Sequence, residues 1–147
     1  MKKRSVIQFV AVVWLSLIGA LTPSMAQEVE IEGYSPVSYF TKGIAEKGSP
    51  RFSSKYRGKT YHFTSQEQID MFSADPEHFV PRFGAYCAYS LSLGMTQPID
   101  PTRFKIVGDL LLLFHYSEGK DARAAWEKGD DQEQYDRATS GFTLLRF

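Results

Sequence analysis

The sequence predicts an α+β fold made of small antiparallel hairpins and short helices. Two segments, residues 51–63 and 103–114, carry strand-type patterns on both sides of a tight turn. Beyond Asp121 the apolar residues recur at helical spacing instead. We therefore expect one small antiparallel sheet built from the two hairpins, with short helices packed on one side of it.

The N-terminus has the pattern of a secretory signal peptide. Three basic residues at positions 2–4 precede a mainly apolar run over residues 6–21, and Ser24-Met25-Ala26 offers a small-x-small cleavage site. An uncleaved anchor is the alternative, but the run is shorter than the about 20 residues that a membrane span needs. The sequence thus predicts a leader over residues 1–26, a single domain over residues 27–147, and a periplasmic or secreted protein.

The charge of the remaining chain argues against two classes of partner. The leader carries three of the 17 basic residues and none of the 17 acidic ones, so residues 27–147 have a net charge of −3. A mildly acidic domain without a basic cluster attracts phosphates weakly. We therefore expect neither a nucleic-acid partner nor binding to an anionic membrane surface. Since no second apolar run follows, we also expect no stable membrane span after the leader is removed.

The first half of the domain contains clear local signals. Residues 27–33 are predicted as a flexible lead-in, and Ser35 followed by Pro36 is a typical helix start. Arg57-Gly58 is the expected turn of the first hairpin. A capping box at Ser65-x-x-Gln68 then predicts a helix that buries Ile69, Met71 and Phe72. Asp75-Pro76 ends that helix and starts a short one.

The second half is less regular. Residues 81–94 are predicted as a loop that packs into the core, followed by a strand. Residues 110–114 are apolar on both faces, which favours a strand central in its sheet. A helix around Trp126 should end at Gly129. A short helix over residues 132–138 should come last, with the final apolar residues packing back onto the domain.

Several of these segments together resemble the YHS domain family. The motif residues are 35–38 (SPVS), 56–65 (YRGKTYHFTS), Gln68, Phe72 and 75–79 (DPEHF). This match covers residues 33–79. Residues 80–147 are similar to the extension found in an exported, largely uncharacterised branch, through segments 84–89 (GAYCAY) and 100–107 (DPTRFKIV). The resemblance implies a treble-clef-like core and a binding or accessory role in the cell envelope.

The chain departs from that family at the metal ligands. Metal-binding relatives place thiolates at the positions of Ser38, Thr64 and Gln68. Structural zinc needs four thiolate or imidazole ligands, and hydroxyls with an amide cannot replace them. We therefore expect the family's metal site to be degenerate here, with aromatic packing in place of the metal.

Cys87 is the single cysteine and the most specific candidate site. It could be a thiolate ligand for Cu(I) or another soft metal, with Met95, His62 or His115 as further ligands. It could be a redox-reactive thiol, or a buried small hydrophobic residue. The sequence leaves these three alternatives open.

No catalytic motif joins a nucleophile to a base in this sequence. The tyrosines could line an aromatic pocket or simply pack in the core. The function that we expect is an exported, non-enzymatic binding or accessory domain whose partner is an envelope protein or a small ligand, with soft-metal handling at Cys87. The alternatives are a structural or protein-interaction domain with a degenerate metal site, and a thiol redox accessory protein.

Overall fold

Three antiparallel hairpins and six helices make up residues 28–146, the part of the chain that the computed structural model describes. The expected mixed α and β composition is confirmed. The leader predicted over residues 1–26 lies outside the described residues. Within residues 28–146 no helix is long and apolar enough to cross a membrane. The elements are α1 (Pro36–Thr41), β1 (Ser49–Tyr56), β2 (Lys59–Phe63), α2 (Gln66–Ala74), α3 (Pro76–Phe79), α4 (Ala88–Ser92), β3 (Asp100–Val107), β4 (Leu110–Phe114), β5 (Tyr116–Ser117), β6 (Lys120–Asp121), α5 (Ala122–Trp126) and α6 (Asp131–Leu144).

The hairpins form separate two-stranded sheets, so the expectation of one joint sheet was wrong. β1 pairs with β2, β3 with β4, and β5 with β6, all antiparallel. The predicted turn at Arg57-Gly58 is present, and both of its residues have positive φ, as a tight two-residue hairpin turn requires. Local turn chemistry therefore determines each hairpin, whereas helices and loops separate the three.

β4 divides the interior into two hydrophobic clusters. Leu111 and Leu113 belong to the first cluster, and Leu112 and Phe114 belong to the second. The prediction that this strand is central in a sheet was wrong, because the described chain pairs it with β3 alone. Its two faces are buried by other elements instead, and the alternation of side chains sends successive residues into different clusters.

The first cluster lies between the β1–β2 hairpin, α1, α2 and α3. Phe72 is its central ring, with Phe63 at 5.0 Å and Tyr61 at 5.2 Å between ring centroids. Ile69 packs against this cluster, but Met71 is exposed on α2, contrary to prediction. The lead-in is ordered where it is described, since Ile31 is buried in the same cluster.

The second cluster is formed by α4, α5, α6 and β4. It contains Cys87, Trp126 and Ala138, all fully buried. The predicted strand within residues 81–94 is in fact the helix α4, because the spacing of Ala88 and Leu91 presents one apolar face to α6.

α6 runs to Leu144 instead of ending near residue 138, and it packs closely on α4. A Cβ at Gly141 would lie 2.4 Å from the carbonyl oxygen of Leu91. The expectation that the last apolar residues pack back onto the domain was wrong for Leu144, which is 78% exposed. α5 likewise ends at Trp126, before Gly129.

Candidate functional site

Two polar regions of the structure concern the predicted site residues. The first, which we name the polar corner, lies where α1 approaches α2, next to the loop after α1. Its members are Ser35, Ser38, Glu46, the backbone of Thr64, and Gln68. It therefore brings together all three positions at which the family resemblance places thiolate ligands.

The hydrogen bonds of the polar corner have a defined direction. The hydroxyl of Ser35 donates to Oε1 of Gln68 over 2.7 Å, and Nε2 of Gln68 donates to Oγ of Ser38 over 2.9 Å. The hydroxyl of Ser38 in turn donates to the Glu46 carboxylate over 2.6 Å. The backbone N–H of Thr64 is a second donor to Oε1 of Gln68, at 3.1 Å. The relay thus ends on a carboxylate.

The charge at the end of this relay is balanced. Nζ of Lys42 lies 2.8 and 2.9 Å from the two carboxylate oxygens of Glu46. The hydrogen bond from Lys42, followed by that from Ser38, lowers the pKa of Glu46 from its ordinary value. The Glu46 side chain is therefore ionised at neutral pH, and its carboxylate accepts the hydrogen bond from the Ser38 hydroxyl.

This arrangement does not fit the family's metal. Ser38 is fully buried and Gln68 is nearly so, and the polar atoms of both side chains already have hydrogen-bond partners. Neutral hydroxyl and amide groups are also the wrong ligand class for zinc. The donor set of the polar corner is that of a closed structural network.

Cys87 has a structural contact within the second cluster. It is fully buried, and its Sγ accepts a hydrogen bond from the backbone N–H of Ser90 at 3.4 Å, at the N-terminus of α4. Its own backbone N–H donates to the carbonyl of Gln97 over 2.9 Å. The thiol therefore caps the helix, a role that serine or aspartate usually performs.

Of the other predicted metal ligands, Met95 and His115 lie near the Cys87 segment, whereas His62 does not. Met95 and His115 border the same segment as Cys87: the N–H of Met95 bonds to the Ser90 carbonyl, and Nδ1 of His115 lies 2.9 Å from the Pro98 carbonyl. His62 lies elsewhere, with its ring beside Gly33. Within residues 28–146, no three His, Cys, Asp or Glu side chains form a set that could hold a metal ion.

An open pocket of about 530 Å³ lies next to the Cys87 segment, between α4, α5 and the β5–β6 hairpin. We name it the hairpin pocket. The sequence indicates His115 as a metal ligand and the tyrosines as candidate pocket residues, of which Tyr89 lines this pocket, but the β5–β6 hairpin was not predicted. The turn residues Glu118-Gly119, both with positive φ, were the available signal. The lining residues are Tyr89, Gln97, His115, Ser117, Glu118, Lys120, Asp121, Ala122 and Ala125.

The pocket combines fixed and available polar groups. The Pro98 carbonyl can only accept, so Nδ1 of His115 carries the proton and Nε2 is the acceptor of the neutral ring. Asp121 is occupied, because its Oδ1 caps α5 and its Oδ2 faces Arg103 at 3.5 Å. Within the described chain, the side chains of Ser117 and Lys120 make no hydrogen bond or ion pair, and they are available to a ligand.

Comparison with known proteins identifies no relative: no protein-family model, no curated protein and no solved structure matches the chain. The functional inference therefore depends on the sequence resemblance and on the geometry of the polar corner and the hairpin pocket.

Proposed function

We propose that this chain is an exported, non-enzymatic binding or accessory domain of YHS type that holds a small polar ligand in the hairpin pocket. Support for the YHS relationship comes from the polar corner. Ser38, Thr64 and Gln68 are separated in sequence, yet they meet there, as positions derived from a common ligand set would. A network of hydrogen bonds then stabilises the scaffold where relatives use a metal.

The observation that carries the binding role is the hairpin pocket itself. Its volume of about 530 Å³ lies within the usual range for small-molecule sites. Ala122 and Ala125 give it an apolar side on α5, while Ser117 and Lys120 offer a hydroxyl and a cation. These groups suit a small molecule with an apolar side and hydroxyl, amide or carboxylate groups.

Cys87 supports this pocket from behind. By capping α4 and bonding to the Gln97 backbone, it orients two lining residues, Tyr89 and Gln97. The Ser90 hydroxyl fixes Gln97 further by donating to its Oε1 over 2.7 Å. The pocket wall on this side is therefore preorganised, which reduces the entropy cost of binding.

The test is a ligand screen on the purified protein, with chemical-shift changes of backbone amides as the readout. The panel consists of amino acids, hydroxy acids, small amides and sugars. Ala125→Leu should fill the pocket and abolish binding of every compound that shifts residues 115–122. Ala124→Leu, on the exposed side of the same helix, is the matched control and should leave binding unchanged. The absence of any binding compound, or binding that survives Ala125→Leu, would contradict the proposal.

Soft-metal handling is a second candidate, favoured by one observation. Met95 lies in residues 95–98, and Cys87 and His115 each bond to a backbone carbonyl of this segment. Thiolate, thioether and imidazole are all Cu(I) ligands. Since Cys87 is fully buried, α4 and this segment would have to separate on loading.

Native mass spectrometry after Cu(I) and Zn(II) loading tests this candidate. One Cu(I) per chain is expected for the wild type and for His62→Gln, and none for Cys87→Ser. The lack of stoichiometric copper in the wild type would exclude metal handling while leaving the hairpin pocket untouched.

A further inference from the structure

Phe142, on the last turns of α6, borders two adjoining cavities of about 360 and 430 Å³. Both cavities are also lined by Arg82 and Arg146. We name this region the arginine cleft. It shares no lining residue with the hairpin pocket, so it is a separate feature of the surface.

The arginine cleft carries cations that the described chain does not neutralise. Elsewhere on its wall, Arg57 pairs with Glu77 and Lys59 pairs with Glu30. No carboxylate of residues 28–146 forms an ion pair with Arg82 or Arg146. Asp109 also lines the larger cavity without pairing to either arginine.

Neutral groups hold Arg82 and Arg146 in place. Nε of Arg82 donates to the Tyr135 hydroxyl over 2.7 Å, and its guanidinium lies 5.7 Å from the Tyr135 ring centroid. The guanidinium of Arg146 lies 6.0 Å from the Phe142 ring centroid. Because a phenol and aromatic rings do not neutralise the guanidinium charge, the remaining guanidinium N–H groups stay available to an anion.

Part of the remaining wall is apolar, beside Tyr56, Tyr61 and His78, and within the described residues the smaller cavity has one unsatisfied hydroxyl. Val80, Pro81 and Leu110 line the larger cavity together with the Phe142 ring. In the smaller cavity, Oγ1 of Thr139 is buried and has no hydrogen-bond partner among residues 28–146. A buried hydroxyl without a hydrogen-bond partner is unusual, because such groups are normally satisfied.

From this geometry we propose that the arginine cleft binds a small aromatic anion, through a phosphate or carboxylate held by Arg82 and Arg146. The planar, forked guanidinium matches both oxyanions, and the apolar part of the wall, at Val80, Leu110 and Phe142, packs against the ring. The rest of the domain has a net negative charge, so a general excess of basic residues does not explain this site. The proposal is independent of the hairpin pocket.

Isothermal titration calorimetry with defined probes tests the proposal. Phenyl phosphate and benzoate represent the two oxyanions, benzyl alcohol is the neutral ring, and inorganic phosphate is the anion without a ring. We expect phenyl phosphate or benzoate to bind more tightly than either benzyl alcohol or inorganic phosphate. Added salt should weaken this binding. The stronger of the two aromatic anions identifies the oxyanion class. Equal binding of benzyl alcohol, or no binding of either aromatic anion, would overturn the proposal.

Matched variants locate the binding. Arg146→Gln should weaken aromatic-anion binding by about 10-fold or more, as a lost charge-assisted pair would. Arg82→Lys, which retains the charge but not the fork, should weaken it less than Arg82→Gln. Arg137→Gln is the control, since Arg137 is on the same helix but pairs with Glu133. Equal losses in Arg137→Gln and Arg146→Gln would show non-specific attraction and overturn the site. Thermal unfolding of each variant separates lost binding from lost folding.

Discussion

The side-chain amide of Gln68 donates a hydrogen bond to the hydroxyl oxygen of Ser38 over 2.9 Å, between residues 30 positions apart in the chain. Both residues are buried. Through this bond α2 is joined to α1, and the Ser38 hydroxyl continues the connection to Glu46. A buried network in which every member is satisfied can fix two elements relative to each other without a metal.

Gln68→Met should destabilise the fold by about 2–3 kcal/mol. The change keeps the side-chain length, but it leaves the Ser35 hydroxyl and the Thr64 N–H without their buried acceptor. Urea unfolding, monitored by circular dichroism, measures the free energy of unfolding. Gln66→Met, at an exposed position of the same helix, is the control, with an expected change within about 0.5 kcal/mol. Equal effects of the two substitutions would contradict a structural role for the network.

Acid should weaken the fold through Glu46. The pKa of its carboxyl is lowered in the folded protein, first by Lys42 and then by Ser38. Its contribution is therefore present above the unfolded-state pKa and is lost as the pH falls through the folded-state value. Unfolding free energies between pH 3 and 7 should decline less steeply in Glu46→Gln than in the wild type. Parallel profiles for the two proteins would be inconsistent with this assignment.

A second acid-sensitive contact, at Asp131, remains in the Glu46→Gln variant. Lys105 and the indole N–H of Trp126 both donate to Asp131, and they lower its pKa, with Lys105 the larger cause. Asp131→Asn should therefore remove a further part of the pH dependence below neutral pH, with the same sign as Glu46→Gln. The double variant should show the flattest profile. An unchanged slope in Asp131→Asn would argue against this contact.

Gly141→Ala should destabilise the packing of α6 on α4. The added Cβ would lie 2.4 Å from the Leu91 carbonyl oxygen, which is backbone and cannot move freely. Alanine is more favourable than glycine in a helix by about 1 kcal/mol. Overpacking against a backbone carbonyl costs about 3 kcal/mol. We expect a net loss of about 2 kcal/mol by urea unfolding. Ser140→Ala, the exposed neighbour, should change stability little; a stabilised Gly141→Ala variant would show that the helices separate easily.

Cys87 should be unreactive toward maleimide in the native protein at neutral pH. Its thiol is fully buried in the second cluster, so labelling should require denaturant. Ser73→Cys, which places a thiol at an exposed position of α2, provides the reference and should label once without denaturant. Rapid native labelling of the wild type would favour a thiol redox role over the structural cap.

Local signals predicted the first half of the chain well. The Arg57-Gly58 turn and the Asp75-Pro76 boundary depend on neighbouring residues only, and both are where the sequence placed them. The central position predicted for β4 was wrong because a strand covered by helices has the same apolar pattern as a strand between two others. The helix α4 was missed because it is five residues long and is held mainly by tertiary contacts with α6.

The candidate sites show the same division. Convergence of Ser38 and Gln68 was implied by the family resemblance, while Glu46 and Ser35 joined the network through tertiary contacts that no spacing reveals. Arg82 and Arg146 lie 64 positions apart in the sequence and share a cleft because α6 runs further than its apolar pattern indicated. Sequence could predict local elements, but it could not predict which side chains the helices bring together.

The most direct test of the central claim is the free energy of unfolding of the purified protein with and without a strong zinc chelator. If hydrogen bonds hold the polar corner, the two urea curves should coincide for the wild type, and Gln68→Met should lower both equally. A wild type that loses stability on chelation, by an amount that Gln68→Met removes, would show instead that a bound metal holds α1 to α2.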